Sequence, residues 1–150
     1  MALNTNFTTG QVLTATQQNN FPRGLVSVTS NTSPSGTFTT QVTTITAPSF
    51  TAVANRLYRI SYFEPVLQYI SGTVTVIDMT IKIGGTAILF GEVKISSANN
   101  NVGFITTTRT LTAGANVVTG HLTANGGGSG NAFRSATGIA QIIIEDLGLS

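Results

Sequence analysis

A chain of 150 residues is typical of one domain and is long enough to bury a core. Charged residues make up 8% of it, against roughly 25% in an average soluble domain, and the net charge is +2. The 7 basic residues are spread along the chain, which argues against a nucleic-acid surface, and the lack of cysteine excludes disulfides and thiolate metal sites. No apolar run approaches the ~20 residues that cross a bilayer, and no signal peptide is recognised.

Residues 1–24 differ from the rest of the chain and are interpreted as an N-terminal arm. Thr14 and Gln17 have the spacing of a capping box, which predicts a helix of one or two turns that ends before Pro22. A helix this short is not stable alone, so the arm must dock on its own domain or on a neighbouring protein. Its scattered apolar residues are the candidate attachment points: Leu3, Phe7, Val12, Leu13 and Phe21.

Residues 25–150 carry β-type patterns throughout and are interpreted as one domain. Runs of apolar and β-branched residues predict strands over 25–30, 37–46, 57–64, 73–83, 87–96, 102–111, 116–124 and 139–147, with a short apolar segment at 66–70. Turn-forming residues lie between these runs. About eight such strands favour an antiparallel β-sandwich or jelly roll.

Several local features add detail to this fold. Gly84 and Gly85 predict a two-residue hairpin turn, and Gly91 predicts a bulge or a close backbone approach. Imperfect alternation predicts a bulge or break near Thr43–Thr44. Pro65 is expected to end or bend its strand. The last predicted strand is the most continuously apolar and is expected to lie in the interior of a sheet, whereas the glycine-rich run 125–131 is expected to be a flexible loop.

Candidate catalytic groups are few, and none forms a recognised motif. His121 is the only histidine, and no local residue supplies it with a nucleophile or an orienting partner. Glu145 and Asp146 point to opposite faces of a strand, so one is expected to be salt-bridged and the other solvated. The glycine-rich run lacks the Lys-Ser/Thr ending of a phosphate loop. We therefore expect no enzyme activity and no cofactor or metal.

Four aromatic residues can be interpreted in two ways. Tyr58, Tyr62, Phe63 and Tyr69 are expected to pack in the core or between subunits. Alternatively, they line a sugar-binding face, because aromatic rings stack on sugars. Tyr69 follows Pro65 and is the candidate for an exposed aromatic at an edge.

Three segments carry a family resemblance and occur in the same order as in that family. They are residues 10–24 (GQVLTATQQNNFPRG), 50–60 (FTAVANRLYRI) and 141–148 (QIIIEDLG). They resemble the opening, a middle strand and the end of small virion structural proteins of tailed bacteriophages. Leu57 stands where those proteins usually carry a second basic residue, and their charged loops are Asn- and Gly-rich here. No catalytic residue carries over, because architecture defines the family.

The resemblance implies a β-sandwich protein of the virion, made in the host cytoplasm. A capsid decoration or cement protein is favoured, forming a homo-oligomer, preferably a trimer, whose arm clamps onto the major capsid protein or another virion protein. The alternative is a minor tail, baseplate or fibre component that contacts host-surface glycans. The low charge agrees with a surface that meets other proteins, although Thr- and Asn-rich surfaces are also common on β proteins. Neither nucleic acid nor a membrane is expected as a partner.

Overall fold

The structure, a computed structural model, describes residues 12, 14–73, 76–96 and 100–150. One short helix, α1 (Ala15–Asn19), precedes twelve strands in the described part of the chain. The strands are β1 (Gly24–Asn31), β2 (Thr37–Phe38), β3 (Val42–Thr46), β4 (Phe50–Ala52), β5 (Arg56–Ser71), β6 (Val76–Ile83), β7 (Thr86–Lys94), β8 (Asn101–Thr110), β9 (Gly114–Asn116), β10 (Val118–Asn125), β11 (Ser129–Ala132) and β12 (Ala140–Leu149). The predicted all-β fold is confirmed.

Two antiparallel sheets form a sandwich. In the large sheet β12 lies between β1 and β5, and β8 pairs with the other edge of β5. Beyond the first residues of β12, β11 continues along the same edge of β5, and β2 pairs with β11. The small sheet has the order β3-β10-β6-β7, and β4 and β9 form a separate two-stranded ladder. The prediction that the last strand lies in the interior of a sheet is confirmed.

The core lies between the inner faces of these two sheets. Alternation along β5 and β12 turns Ile60, Tyr62 and Ile144 inward, where they are buried. The small sheet contributes alternate residues of β6 and β10 to the same cluster, among them Ile77, Met79, Ile81 and Leu122. Burial of these two inner faces is the main stabilising contribution.

Two of the predicted local features are confirmed. Gly84 and Gly85 have φ angles of 55° and 85° and join β6 to β7 directly, as expected of a hairpin turn that needs positive φ. In the β3–β10 pairing, Ile45 is opposite Gly120 and Thr43 is opposite His121, which leaves Thr44 as the extra residue of a bulge.

Two other expectations about strand ends are met only in part. Pro65 does not end its strand, since β5 runs on to Ser71, but a register shift between Glu64 and Leu67 interrupts the pairing of β5 with β8 at this point. Proline lacks an N–H group, and this irregularity accommodates it. Part of the predicted flexible loop forms β11, in which a Cβ atom on Gly130 would lie 2.9 Å from Ile77 Cδ1. The glycines there permit close packing between the sheets.

Candidate functional site

The N-terminal arm begins its described part with the predicted helix. The Thr14 hydroxyl accepts a hydrogen bond from the Gln17 N–H at 3.2 Å, and the Gln17 side-chain oxygen accepts one from the Thr14 N–H at 2.9 Å. This reciprocal pair is the capping box that the sequence predicts. The helix ends at Asn19, with Asn20 as its C-cap, ahead of Pro22.

A buried ion pair lies beneath the end of this helix. Arg56 Nε donates to Asp146 Oδ2 at 2.6 Å, and Arg56 Nη2 donates to Asp146 Oδ1 at 2.7 Å. The two side chains are 1% and 2% exposed. The Gly148 N–H also donates to Asp146 Oδ1, at 2.9 Å. A bidentate pair with a further donor is the geometry that a buried carboxylate needs.

Arg56 connects this ion pair to the arm. Its Nη1 donates to the Asn19 carbonyl, and its Nη2 donates to the Phe21 carbonyl at 2.7 Å. These carbonyls belong to the end of α1 and the residues just after it, where backbone acceptors lack helical partners and favour a cation. We call this cluster of Arg56, Asp146, Gly148 and residues 19–22 the arm root.

Gly148 allows the arm and the sandwich to approach each other closely at the arm root. A Cβ atom at this position would lie 3.0 Å from the Asn20 carbonyl oxygen and 3.4 Å from the Pro22 nitrogen. Its φ of 102° also falls in the region that glycine tolerates and other residues avoid. Both observations explain why glycine occupies this position.

The electrostatics of the arm root favour a charged Asp146. Burial by itself would raise the pKa of this carboxyl group. The hydrogen bonds from Arg56 and from the Gly148 N–H, together with the positive charges of Arg56 and Arg23, outweigh burial and lower the pKa below its usual value. The carboxylate is therefore ionised at neutral pH and holds Arg56 in place.

A second ion pair joins the same two strands on the opposite face of the sheet. Arg59 Nε and Nη2 donate to Glu145 at 2.7 and 2.8 Å, and these side chains are 47% and 27% exposed. Glu145 and Asp146 therefore point to opposite faces, as predicted. The expectation that only one of them is salt-bridged is wrong, because β5 presents an arginine to each.

The arm root brings together three segments that are far apart in the sequence. Residues 10–24 contribute the Asn19 and Phe21 carbonyls, residues 50–60 contribute Arg56, and residues 141–148 contribute Asp146 and Gly148. Segments far apart in the sequence thus meet in one buried cluster. Alternation along β5 could have predicted that Arg56 is buried, since it lies at an even-numbered position like the core residues Tyr58, Ile60 and Tyr62.

A buried network that sequence reasoning missed lies further along β5. Glu64 forms an ion pair with Arg134 through both carboxylate oxygens, and Nε of Arg134 is 2.9 Å from Oε2. Tyr62 donates to Glu64, and its hydroxyl oxygen is 2.6 Å from that of Thr44. Arg134 also donates to the Thr44 carbonyl at 3.0 Å and to the Ser33 carbonyl at 3.2 Å. The network thereby ties the bulge of β3 to β5.

Burial and the adjacent Glu64 carboxylate raise the pKa of the Tyr62 hydroxyl well above its usual value. The phenol therefore stays protonated and serves as a hydrogen-bond donor. Glu64 also shares the core parity of β5, which is the signal that could have identified it. The position of Arg134 has no such signal, because its partners are distant in the sequence.

The predicted attachment residues are only partly within the described chain. Leu3, Phe7 and Leu13 lie outside the described residues. Val12 is exposed, and Phe21 is half-buried with its carbonyl at the arm root.

The three tyrosines differ in burial. Tyr69, the candidate for an exposed edge aromatic, is half-buried, packs against the core and donates its hydroxyl to the Gly72 carbonyl at 2.7 Å. Tyr58 and Tyr62 are buried in the core.

His121 is held between two threonine hydroxyls. Its Nδ1 is 3.2 Å from Thr43 Oγ1, and its Nε2 is 2.8 Å from Thr119 Oγ1. Burial, and then the charge of Lys82, lower its pKa. These contacts suit a buried neutral imidazole in the small sheet.

Among the described residues, no three acidic or histidine side chains are grouped so that they could bind a metal ion. Within the same ranges, no helix has the length and apolar character to span a membrane. No family model and no curated protein matches the sequence.

Proposed function

We propose that this chain is a structural protein of a bacteriophage virion, and that it acts as a capsid decoration or cement protein bound to the major capsid protein. The observation that carries this proposal is the arm root. The three segments that resemble phage virion proteins do not merely occur in order; they supply the groups of one cluster around Arg56 and Asp146.

The arm root has the properties of an anchor. Burying an arginine and an aspartate costs desolvation energy, which good geometry and further hydrogen bonds have to offset. Here that geometry fixes the backbone at Asn19 and Phe21 against the end of the sandwich. Residues 1–11 precede this fixed point and include Leu3 and Phe7. In the proposal these apolar side chains bind the neighbouring virion protein.

The strand order supports the same class of protein. In the proposal the fold is a double-sheet jelly roll, and the strand orders β1-β12-β5-β8 in the large sheet and β3-β10-β6-β7 in the small sheet support this interpretation. Jelly rolls occur in viral capsid proteins and in lectin domains, among others. This support is an analogy at the level of fold, because one fold hosts many functions.

The alternative proposal places the same fold in the tail, as a minor tail, baseplate or fibre component. Copy number separates the two locations, since a decoration protein repeats over the shell and a tail component does not. In its glycan-binding form, the alternative cannot use Tyr58 and Tyr62, because both are buried in the core. Tyr69 is half-buried, and its hydroxyl already donates to a backbone carbonyl, so the face of its ring is the part left to stack on a sugar.

The test compares binding to particles by arm variants. The particles are those of the phage that encodes the chain, stripped of this protein. Leu3→Ser/Phe7→Ser is the variant, and Asn4→Ser/Asn6→Ser is the matched control in the same segment. Both variants are expected to melt at the temperature of the unmodified chain, because all four substituted residues precede the arm root in the sequence. The apolar pair of substitutions is expected to abolish co-sedimentation with particles, whereas the control binds normally.

Three outcomes argue against parts of this proposal. Full binding by Leu3→Ser/Phe7→Ser would exclude the arm as the attachment element. A few copies per particle, located at the tail by electron microscopy, would replace the cement role by the tail role. No binding of the unmodified chain to particles would reject both.

A further inference from the structure

The outer face of the large sheet carries apolar side chains where a solvated sheet normally carries polar ones. Phe63 on β5 is directly opposite Phe104 on β8, and Val28 on β1 is directly opposite Ile143 on β12. Phe104 is 59% exposed. Val102, which alternation places on the same face of β8, is also exposed. An apolar patch of this kind on a sheet marks an interaction surface.

On β1, the apolar side chains of the outer face are not there to fill the core. Val26 and Val28 are exposed, whereas Ser27 and Thr29 point toward the small sheet. This is the reverse of the pattern that an edge strand adopts when only the core needs apolar groups. The sequence thus places valines on the outer face and hydroxyl groups on the inner face.

The charges on this face limit what can cover it. Among the outward residues of β1, β12, β5 and β8, the charged ones are Arg59 and Glu145, and they form an ion pair with each other. The face therefore has no net charge, and its remaining polar groups on β8 are threonine hydroxyls such as those of Thr106 and Thr108. A strongly charged partner would find no counter-charge here, whereas a second identical face meets no net repulsion.

The area of the face is sufficient for a weak specific dimer. Four strands about 4.8 Å apart and about eight residues long form a face of roughly 500 Å². Two copies packed through this face would bury about 1,000 Å² in total, which is near the lower limit for a specific protein interface.

We infer that the outer face of the large sheet, centred on Phe63 and Phe104, is a contact between two copies of this chain. The same patch contributes from both copies, so the contact is isologous and gives a two-fold dimer. This differs from the trimer that the family resemblance implies. The inference does not depend on the proposed virion role, because it concerns the isolated chain.

Sedimentation velocity of the purified full chain tests this inference at concentrations from about 2 to about 200 µM, a range suited to an interface of this size. The unmodified chain is expected to shift toward twice its 15.6 kDa mass as concentration rises. Phe104→Asp is expected to weaken association at least tenfold and to remain monomeric. Phe90→Asp is the matched control, because Phe90 is 57% exposed on the small sheet. It should dimerise normally.

The outcomes that would overturn the inference are distinct. They are a monomeric unmodified chain over the whole range, a trimeric mass, or a dimer that Phe104→Asp leaves intact. Far-ultraviolet circular dichroism establishes that each variant is folded. Val102→Asp repeats the test on the same face if Phe104→Asp fails to fold. Since no particle enters the measurement, its result is separate from that of the attachment experiment.

Discussion

At the scale of single residues, the pairs Arg56–Asp146 and Arg59–Glu145 share chemistry but differ in environment. Both are bidentate and both join β5 to β12. Water screens the exposed pair, and its long side chains lose entropy, so it contributes little to stability. Removing one partner of the buried pair leaves a charge without water or a counter-charge. Comparing substitutions in the two pairs therefore measures how the loss of stability depends on burial of the ion pair.

Arg56→Ala is therefore expected to lower the free energy of unfolding by about 3 to 5 kcal/mol. Arg59→Ala, three positions along the same strand, is the control and should leave the urea midpoint nearly unchanged. Urea titrations followed by circular dichroism measure both. Equal effects of the two substitutions would show that the arm root is not the stabilising element described above.

The lowered pKa of Asp146 makes a prediction about acid stability. A carboxyl group whose pKa is lower in the folded state stabilises the fold above its unfolded pKa, and this contribution is lost as pH falls through the folded value. The chain is expected to lose stability on acidification below about pH 4, and Asp146→Asn should reduce that pH dependence. The hydrogen bond from Arg59 also lowers the pKa of Glu145, so Glu145→Gln should reduce the pH dependence too, but by less, because water screens that more exposed pair. Melting temperatures between pH 2 and pH 7 would decide, and a slope unchanged by Asp146→Asn would contradict the prediction.

At the scale of elements, β10 packs closely against both β3 and β5 because Gly120 has no side chain. A Cβ atom at Gly120 would lie 2.7 Å from Ile45 Cγ2 and 2.8 Å from Tyr62 Cζ. The latter ring belongs to the buried network of Glu64 and Arg134. Gly120 therefore allows the two sheets to pack closely beside the bulge at Thr44.

Gly120→Ala is expected to destabilise the fold by about 1 to 3 kcal/mol, because the added methyl group overpacks the space between the sheets. Gly138→Ala is the matched control, since its nearest contact would be Ser135 Oγ at an ordinary 3.4 Å. That substitution should be neutral or stabilising by up to about 1 kcal/mol. Thermal unfolding measures both, and a neutral Gly120→Ala would show that the sheets can move apart without cost.

At the scale of the whole molecule, local patterns in the sequence predicted the sandwich but not its connections. The capping box at Thr14, the hairpin at Gly84–Gly85 and the bulge at Thr44 depend on neighbouring residues, and all three are confirmed. The continuity of β5 through Pro65 and the formation of β11 depend on distant partners, so local patterns misplaced them.

The candidate sites, too, could be predicted only in part from local patterns. Parity along β5 could have placed Arg56 and Glu64 in the core, but no pattern identifies Asp146 and Arg134 as their partners, because those pairings arise only from the fold. The sequence also could not predict which side of β1 faces outward. Alternation shows that Val26 and Val28 share a side, and only the packing of the sheets shows that this side faces outward.

The position of β12 has a consequence for how the chain folds. This strand is synthesised after both of its neighbours in the large sheet, β1 and β5, and it lies between them. Until residues 140–149 have left the ribosome, the inner edge of each neighbour lacks its partner. Such distant pairings make folding slow, and unpaired edges favour aggregation. Closure of the large sheet therefore has to wait until β12 has been synthesised.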